Sequence, residues 1–326
     1  MKKCFLVTGA SGFIGYELVR YLKEHGMVVR ALLREPAKGP WDECVVVDLS
    51  TNRIPAEVMS SVYGVFHLAG ATHTAINTSD KSIDYYRRVN VVATQELLKL
   101  AQDSKVERFV YFSSVKASGE SNDRCLDENS ACAPVDVYGS TKLEAEKLVL
   151  DAGKRAGIHV CNIRPALVYG RGVKGNLAQM LNSISQNTFP VLPEFHNKRS
   201  MISLQDVVSA ACLAMDDEKA NGQTYIITDG IEYSTRQIYL AMCEILGKKI
   251  TQPAVPVWAL RLAGIIGDMI EMVARKPMPI DSSKFRKLVG SACYDSSKIR
   301  NELGWLPKYS LYDVLPEMVG YIRANS

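Results

Sequence analysis

The sequence predicts an α/β fold: a doubly wound parallel sheet with a smaller, mostly helical C-terminal substrate lobe. Three observations predict it. Short apolar, β-branched runs alternate with longer helical patterns through the first half of the chain. A glycine-rich turn follows the first of those runs. After about residue 170, prolines gather (Pro190, Pro193, Pro253, Pro256, Pro277, Pro279) and helices take over. Alternating strands and helices make βαβ units, which require a parallel sheet, and such sheets bind ligands at the carboxyl ends of their strands.

Taken in order, the expected strands are Lys3–Thr8, Val28–Leu33, Val45–Val47, Val62–Leu68, Arg108–Ser113 and His159–Ile163. Between them, Phe13–His25, Ile83–Asp103 and Val137–Ala156 carry helical periodicity. One further strand is expected near Thr224–Thr228. The division expected is residues 1–170 for dinucleotide binding and catalysis, and 171–326 for a lobe that closes over the ligand edge without a core of its own.

Composition narrows the function class. With 47% hydrophobic and 23% charged residues the chain is globular. Its net charge of +4 comes from scattered side chains, not a basic block, which argues against nucleic acid as a partner. Trp258–Val273 is the most apolar stretch, but Arg261, Asp268 and Glu271 interrupt it. It is expected to be an amphipathic helix facing the core or a partner subunit, with a membrane-surface role as the lesser alternative and no membrane span. The eight cysteines form no C-x-x-C pair and no zinc spacing, so free thiols, no metal and a reducing, cytoplasmic setting are expected. The N-terminal apolar run is too short for a secretion signal.

The first strand ends in Thr8-Gly9-Ala10-Ser11-Gly12-Phe13-Ile14-Gly15. Glycines in that context allow a tight turn and bring a pyrophosphate to the free N–H groups of a helix N-terminus. A Rossmann-type dinucleotide site is therefore expected, with Gly9, Ser11, Gly12, Phe13, Ile14 and Gly15 as its contacts. At the end of the second strand Leu33 holds the position where an acidic residue reads the adenosine ribose, and Arg34 follows. Arg34 suits a 2′-phosphate, so NADP(H) is favoured. Glu35 keeps NAD(H) possible. Asp48 and Leu49 would flank the adenine.

Tyr138-Gly139-Ser140-Thr141-Lys142 opens a predicted helix, where residues i and i+4 share a face. A phenol beside a lysine cation can exchange a proton with a carbonyl or alcohol whose carbon exchanges hydride. Past the fifth strand, Ser113 or Ser114 could hold the substrate oxygen.

Together these motifs make the chain resemble the extended short-chain dehydrogenase/reductase (NAD-dependent epimerase/dehydratase) family over nearly its whole length. The resemblance implies Ser114, Tyr138 and Lys142 as catalytic residues. It implies cofactor contacts from His67-Leu68-Ala69-Gly70 (Leu68, Ala69, Gly70) and from the Arg164-Pro165…Val168-Tyr169-Gly170 turn (Pro165, Val168). Asn90 would be structural and Trp305 part of a closing segment. Lys116, Gly119 and Glu120 look similar to nucleotide-linked 4-keto sugar reductases. That likeness implies a substrate pocket around Thr72–Thr78, with Asn176 toward the nucleotide or sugar and Arg199 on the diphosphate.

The expected reaction is reduction of a 4-keto group on a UDP- or dTDP-linked sugar. The alternatives are a UDP-sugar 4-epimerase with retained NAD, and a 3β-hydroxysteroid dehydrogenase-like or dihydroflavonol-reductase-like enzyme on a hydrophobic alcohol or ketone. A non-catalytic dinucleotide-binding regulator is the alternative from another class. A homodimer through the Ile83–Asp103 and Val137–Ala156 helices is implied as possible.

Overall fold

The computed structural model describes residues 2–51, 53–72, 80–121, 124–274 and 280–325. Six strands from the first half enter one parallel sheet: β1 (Cys4–Thr8), β2 (Val28–Leu33), β3 (Glu43–Val46), β4 (Gly64–His67), β5 (Arg108–Phe112) and β6 (His159–Pro165). The order is β3-β2-β1-β4-β5-β6-β9, with β9 (Gln223–Ile227) pairing β6 in parallel from Cys161↔Gln223 to Pro165↔Ile227. All four residues of β4 and all seven of β6 are buried. Burial along the whole strand belongs to strands covered on both faces.

Helices cover both faces. On one side α1 (Phe13–Glu24) packs beside α6 (Leu204–Asp216). On the other lie α3 (Ala93–Asp103) and α4 (Val137–Ala156), joined to α2 (Asp80–Arg87) by a π-helical turn at Arg88–Val92. Ile83–Asp103, expected as one helix, is thus a helix with a widened turn centred on Asn90. Such turns concentrate at functional positions.

The chain beyond residue 170 contributes more strand than expected. β7 (Leu167–Tyr169), β8 (Arg199–Ser203) and β10 (Glu232–Tyr233) form a second, three-stranded sheet. β9 and α6 return to the first sheet. The helices α5 (Asn176–Ser185), α7 (Thr235–Ile245), α8 (Val257–Ala274), α9 (Ser282–Val289), α10 (Ser297–Leu303) and α11 (Leu311–Asn325) complete the order. This part does have an apolar cluster, including Tyr169, Leu181, Met201, Met242 and Leu311. The expectation of no core there is corrected: the amphipathic faces of α5, α7 and α11 are buried against one another.

The thiol expectation also needs one correction. Cys125 and Cys293 form a disulfide across 168 residues, their Cα atoms 4.4 Å apart. A strand-like bridge, Leu126↔Tyr294, lays the two segments side by side, and Arg199↔Ala292 seats the second of them beside β8. No local spacing in the sequence encodes that neighbourhood. The other six cysteines are free. No described helix is long and apolar enough to cross a membrane.

Candidate active site

The glycine turn is built by close backbone contacts. Gly9 has φ +69°, and a Cβ there would meet the Ala69 backbone nitrogen at 2.9 Å. A Cβ on Gly15 would overlap the Gly9 carbonyl. Only glycine satisfies both positions. Gly12 caps α1 and has no side chain to cover the first-turn N–H groups, leaving Phe13, Ile14 and Gly15 at an open, positive helix end. Ser11 is exposed in the turn. Leu68, Ala69 and Gly70 follow β4, and the Ala69 N–H donates to Thr8 Oγ1 at 3.0 Å, which pins this loop beside the glycine turn. The cradle fits a dinucleotide pyrophosphate.

Behind it, His67 is buried between the hydroxyls of Thr8 (2.7 Å) and Thr94 (2.9 Å). Burial pushes its pKa down to about 3, with Lys142 adding repulsion, so it stays neutral. Asn90, in the π-helical turn, accepts from the Ala71 N–H at 2.7 Å and donates to Thr141 Oγ1 at 3.0 Å. It ties the loop after β4 to the helix bearing Tyr138 and Lys142.

That helix, α4, starts at Asp136, whose carboxylate accepts from the Gly139 N–H at 2.7 Å. Such a cap contributes about 1 kcal/mol. Gly139 lets the first turn sit directly on the backbone of a short 3₁₀ turn, Val115–Ala117. Ser114 caps that turn, accepting from the Lys116 N–H at 3.2 Å. Ser114 and Tyr138 meet by this packing, and their side chains are hydrogen bonded. Ser113, the other candidate, is buried with its N–H on the Ile163 carbonyl. Its hydroxyl has no partner among the described residues.

Burial pushes the Tyr138 phenol up to about 12, against the lowering effect of the Ser114 hydrogen bond. A neighbouring cation would act in the opposite direction. The Lys142 ammonium, however, donates to the Phe112 carbonyl at 2.6 Å and lies 4.5 Å from the Tyr111 ring centroid. Burial brings its pKa down to about 7, partly offset by Glu146. Lys142 also lies beside Gly70, where an added Cβ would be 3.4 Å from Nζ. The constellation is a neutral phenol, a hydroxyl and a lysine held at the carboxyl edge of β4 and β5.

Arg164 is structural. It is buried, grips Glu146 through two bonds (2.8 and 2.6 Å) and donates to Ser118 at 3.0 Å. This joins β6 to α4. Pro165 ends β6 and Val168 lies in β7, so both border the same edge. Tyr169 donates to Asp229 and to the Tyr309 carbonyl, each at 2.9 Å.

Farther out, Arg34 follows β2 fully exposed, 3.6 Å from Glu35. Asp48 holds Ser50 through its N–H (2.8 Å) and hydroxyl (2.7 Å), which lowers its pKa. Leu49 packs against the core on the α3–α4 side. Thr72 is exposed and its carbonyl accepts from Tyr86 OH at 3.1 Å. The rest of that expected pocket segment, 73–78, lies outside the described residues. Asn176 is exposed in the first turn of α5, after Gly175 at φ +72°.

Arg199 opens β8 in a half-buried position. Burial lowers its pKa, while the fields of Tyr294 and Glu120 raise it. Tyr294 OH donates to the Gly119 carbonyl at 2.8 Å, so Arg199 lies toward the stretch that continues from Ser114. Among the described residues its guanidinium has no ion pair or hydrogen bond. Glu120 is held instead by Lys116 at 3.0 Å. A half-buried guanidinium left unpaired is a receptor for an anion. Sequence reasoning missed the tight seat at Gly139 and the Cys125–Cys293 link. For Gly139, a glycine inside an otherwise good helix, beside Tyr138, was the available signal.

Comparisons with known proteins agree with this geometry. Residues 5–228 match the NAD dependent epimerase/dehydratase family. The chain is 30% identical to a UDP-glucose 4-epimerase of Vibrio cholerae, covering 100% of this chain and 98% of the relative. It is 26% identical to a 3-beta-hydroxysteroid dehydrogenase of Mycolicibacterium neoaurum, covering 97% and 90%. The structure of MoeE5 in complex with UDP-glucuronic acid and NAD superposes with a TM-score of 0.79, at 24% identity and 99% coverage of both chains.

Proposed function

The chain belongs to the NAD dependent epimerase/dehydratase family and is an NAD-dependent oxidoreductase or epimerase of the extended short-chain type, and we propose from this that it reduces a 4-keto group on a nucleotide-linked sugar. The carrying observation is Arg199, a half-buried cation without a protein partner, on the lobe that faces the carboxyl edge of the sheet. A nucleotide diphosphate supplies the anion it lacks, and Asn176 would lie toward the nucleotide or sugar. The relative from Vibrio cholerae and the UDP-sugar complex of MoeE5 support that ligand class.

In this reading the glycine turn holds the pyrophosphate of the dinucleotide, and Arg34 favours a 2′-phosphate, hence NADP(H). The bound dinucleotide supplies hydride to the carbonyl carbon. Ser114 holds the carbonyl oxygen and Tyr138 gives it a proton. Burial keeps the phenol protonated, the state from which it can donate. Lys142 would bind the nicotinamide ribose and, as a cation, stabilise the phenolate left when Tyr138 gives up its proton. Asp48 and Leu49 flank the adenine, and Leu68, Ala69, Gly70, Pro165 and Val168 line the cofactor path. Thr72 borders the sugar. We assign the protein to the cytoplasm, and α3 and α4 to a possible homodimer face.

A second reading, a UDP-sugar 4-epimerase that retains NAD, is supported by the full-length similarity to the Vibrio cholerae epimerase. Calorimetric titration with UDP and UDP-N-acetylglucosamine, with NADP⁺ present, tests the ligand class. Binding that weakens at least ~10-fold in Arg199→Ala is expected. No binding at millimolar ligand overturns the nucleotide-sugar reading and leaves a hydrophobic alcohol or ketone. Consumption of NADPH by a 4-keto sugar separates reduction from epimerisation.

A further inference from the structure

The α8 helix turns its apolar side outward. Only a narrow stripe faces the protein: Leu260 in the lobe's core, and Gly264 and Gly267, whose missing side chains let residues 280–282 lie against the helix. Asp268 fixes that contact by accepting from the Ser282 N–H at 3.1 Å. On the opposite side stand Trp258 (70% exposed), Leu262, Ile265, Ile266, Met269 (54%) and Met272 (78%). At 100° per residue these six share one face, with Arg261 and Asp268 at its margin. A face this apolar is not left in water without a role.

Charge identifies the occupant. Residues 248–287 hold eight basic and three acidic side chains, net +5, whereas the whole chain is +4. Arg286 and Lys287 stand exposed on α9, which packs along α8. An apolar helical face with a tryptophan, with Arg261 at its margin and a net-positive segment around it, fits the boundary of an anionic bilayer. The helix cannot cross one, so it lies flat. A second copy of the chain fits less well. An 18-residue helix is about 27 Å long and ~10 Å wide, offering about 300 Å² per copy, against about 800 Å² per partner in stable interfaces. Two copies would also bring the same basic margins together.

We propose that α8 docks this enzyme on the surface of an anionic lipid membrane, with the basic side chains of α9 at the headgroups. The proposal stands independently of the substrate. Its test is co-sedimentation of the full chain with vesicles of phosphatidylglycerol and phosphatidylcholine in equal parts, against phosphatidylcholine alone. Trp258 emission is followed in parallel and Trp258→Phe serves as the blank. The anionic vesicles are expected to bind at least ~10-fold better, with a blue shift absent from the blank. Leu262→Ser/Ile265→Ser/Met269→Ser should lose binding at least ~10-fold with circular dichroism unchanged. Arg286→Glu/Lys287→Glu should lose the preference for anionic lipid. Protein that stays in the supernatant with both vesicle types overturns the proposal. So does a triple variant that binds vesicles as before while dispersing a dimer seen by sedimentation velocity.

Discussion

The backbone carbonyl of Lys116 occupies the space where a Cβ on Gly139 would stand. Tyr138 and Ser114 are each one or two residues from this contact, so their spacing is set by it. Gly139→Ala should push the first turn of α4 off the Val115–Ala117 turn. Displacements near 1 Å cost catalysis about 10²-fold. Steady-state kinetics should show kcat down about 10–100-fold while NADPH affinity, read by fluorescence quenching, changes little.

Tyr138→Phe removes the proton donor and leaves the ring in place. Turnover of a 4-keto sugar should fall about 10²–10⁴-fold, in the range of general acid catalysis. Dinucleotide binding should be retained. Undiminished turnover would remove Tyr138 from the chemistry.

Lys142 sets a pH dependence of stability. Its folded pKa, about 7, lies below its ordinary 10.5 because burial penalises the cation. Between those values the unfolded chain binds more protons than the folded one, so stability rises with pH, by up to about 1.4 kcal/mol per unit. The contribution is complete above about pH 10.5 and is lost as pH falls to about 7. The stability difference between Lys142→Met and wild type, from urea melts at pH 7 and pH 9, should therefore shrink or reverse in favour of wild type at the higher pH. A difference independent of pH would place a charged Lys142 in the fold.

The Cys125–Cys293 bond closes a span of 168 residues. Disulfides typically stabilise by about 2–4 kcal/mol. Cys293→Ser, or reduction of wild type with dithiothreitol, should lower the urea midpoint accordingly. Reduction of the variant should add nothing further.

Arg34, exposed and paired only with the equally exposed Glu35 among the described residues, can turn to meet a 2′-phosphate. Charge-assisted hydrogen bonds of about 1.5–3 kcal/mol correspond to roughly 10–100-fold in affinity. Arg34→Ala should reduce the NADPH-over-NADH preference in kcat/KM by that factor, with NADH kinetics nearly unchanged.

What could be read from the chain is local. Gly9, Gly12 and Gly15 declare a turn and a helix start within seven residues. Tyr138 and Lys142 share a face because a helix repeats every 3.6 residues, and the strands announce themselves as buried runs. What escaped depends on distant neighbours. The partner of β6 comes from residues 223–227. The π-helical turn at Asn90 follows from bonds to Ala71 and Thr141. Burial outweighs the Ser114 hydrogen bond at Tyr138, and Lys142 points to Phe112 instead. Proline clustering suggested a lobe poor in strands, but β7, β8 and β10 are two to five residues long, too short to show alternation.

The place of β9 in the first sheet bears on how the protein is made. While the polypeptide emerges from the ribosome, β6 has no neighbour on its outer side until residue 227 is out. His159–Pro165, all buried in the finished fold, is until then an open strand edge with unpaired backbone groups, of the kind that recruits other chains. Synthesis stopped between residues 170 and 222 should therefore leave an aggregating product, although every motif of the dinucleotide half is already present.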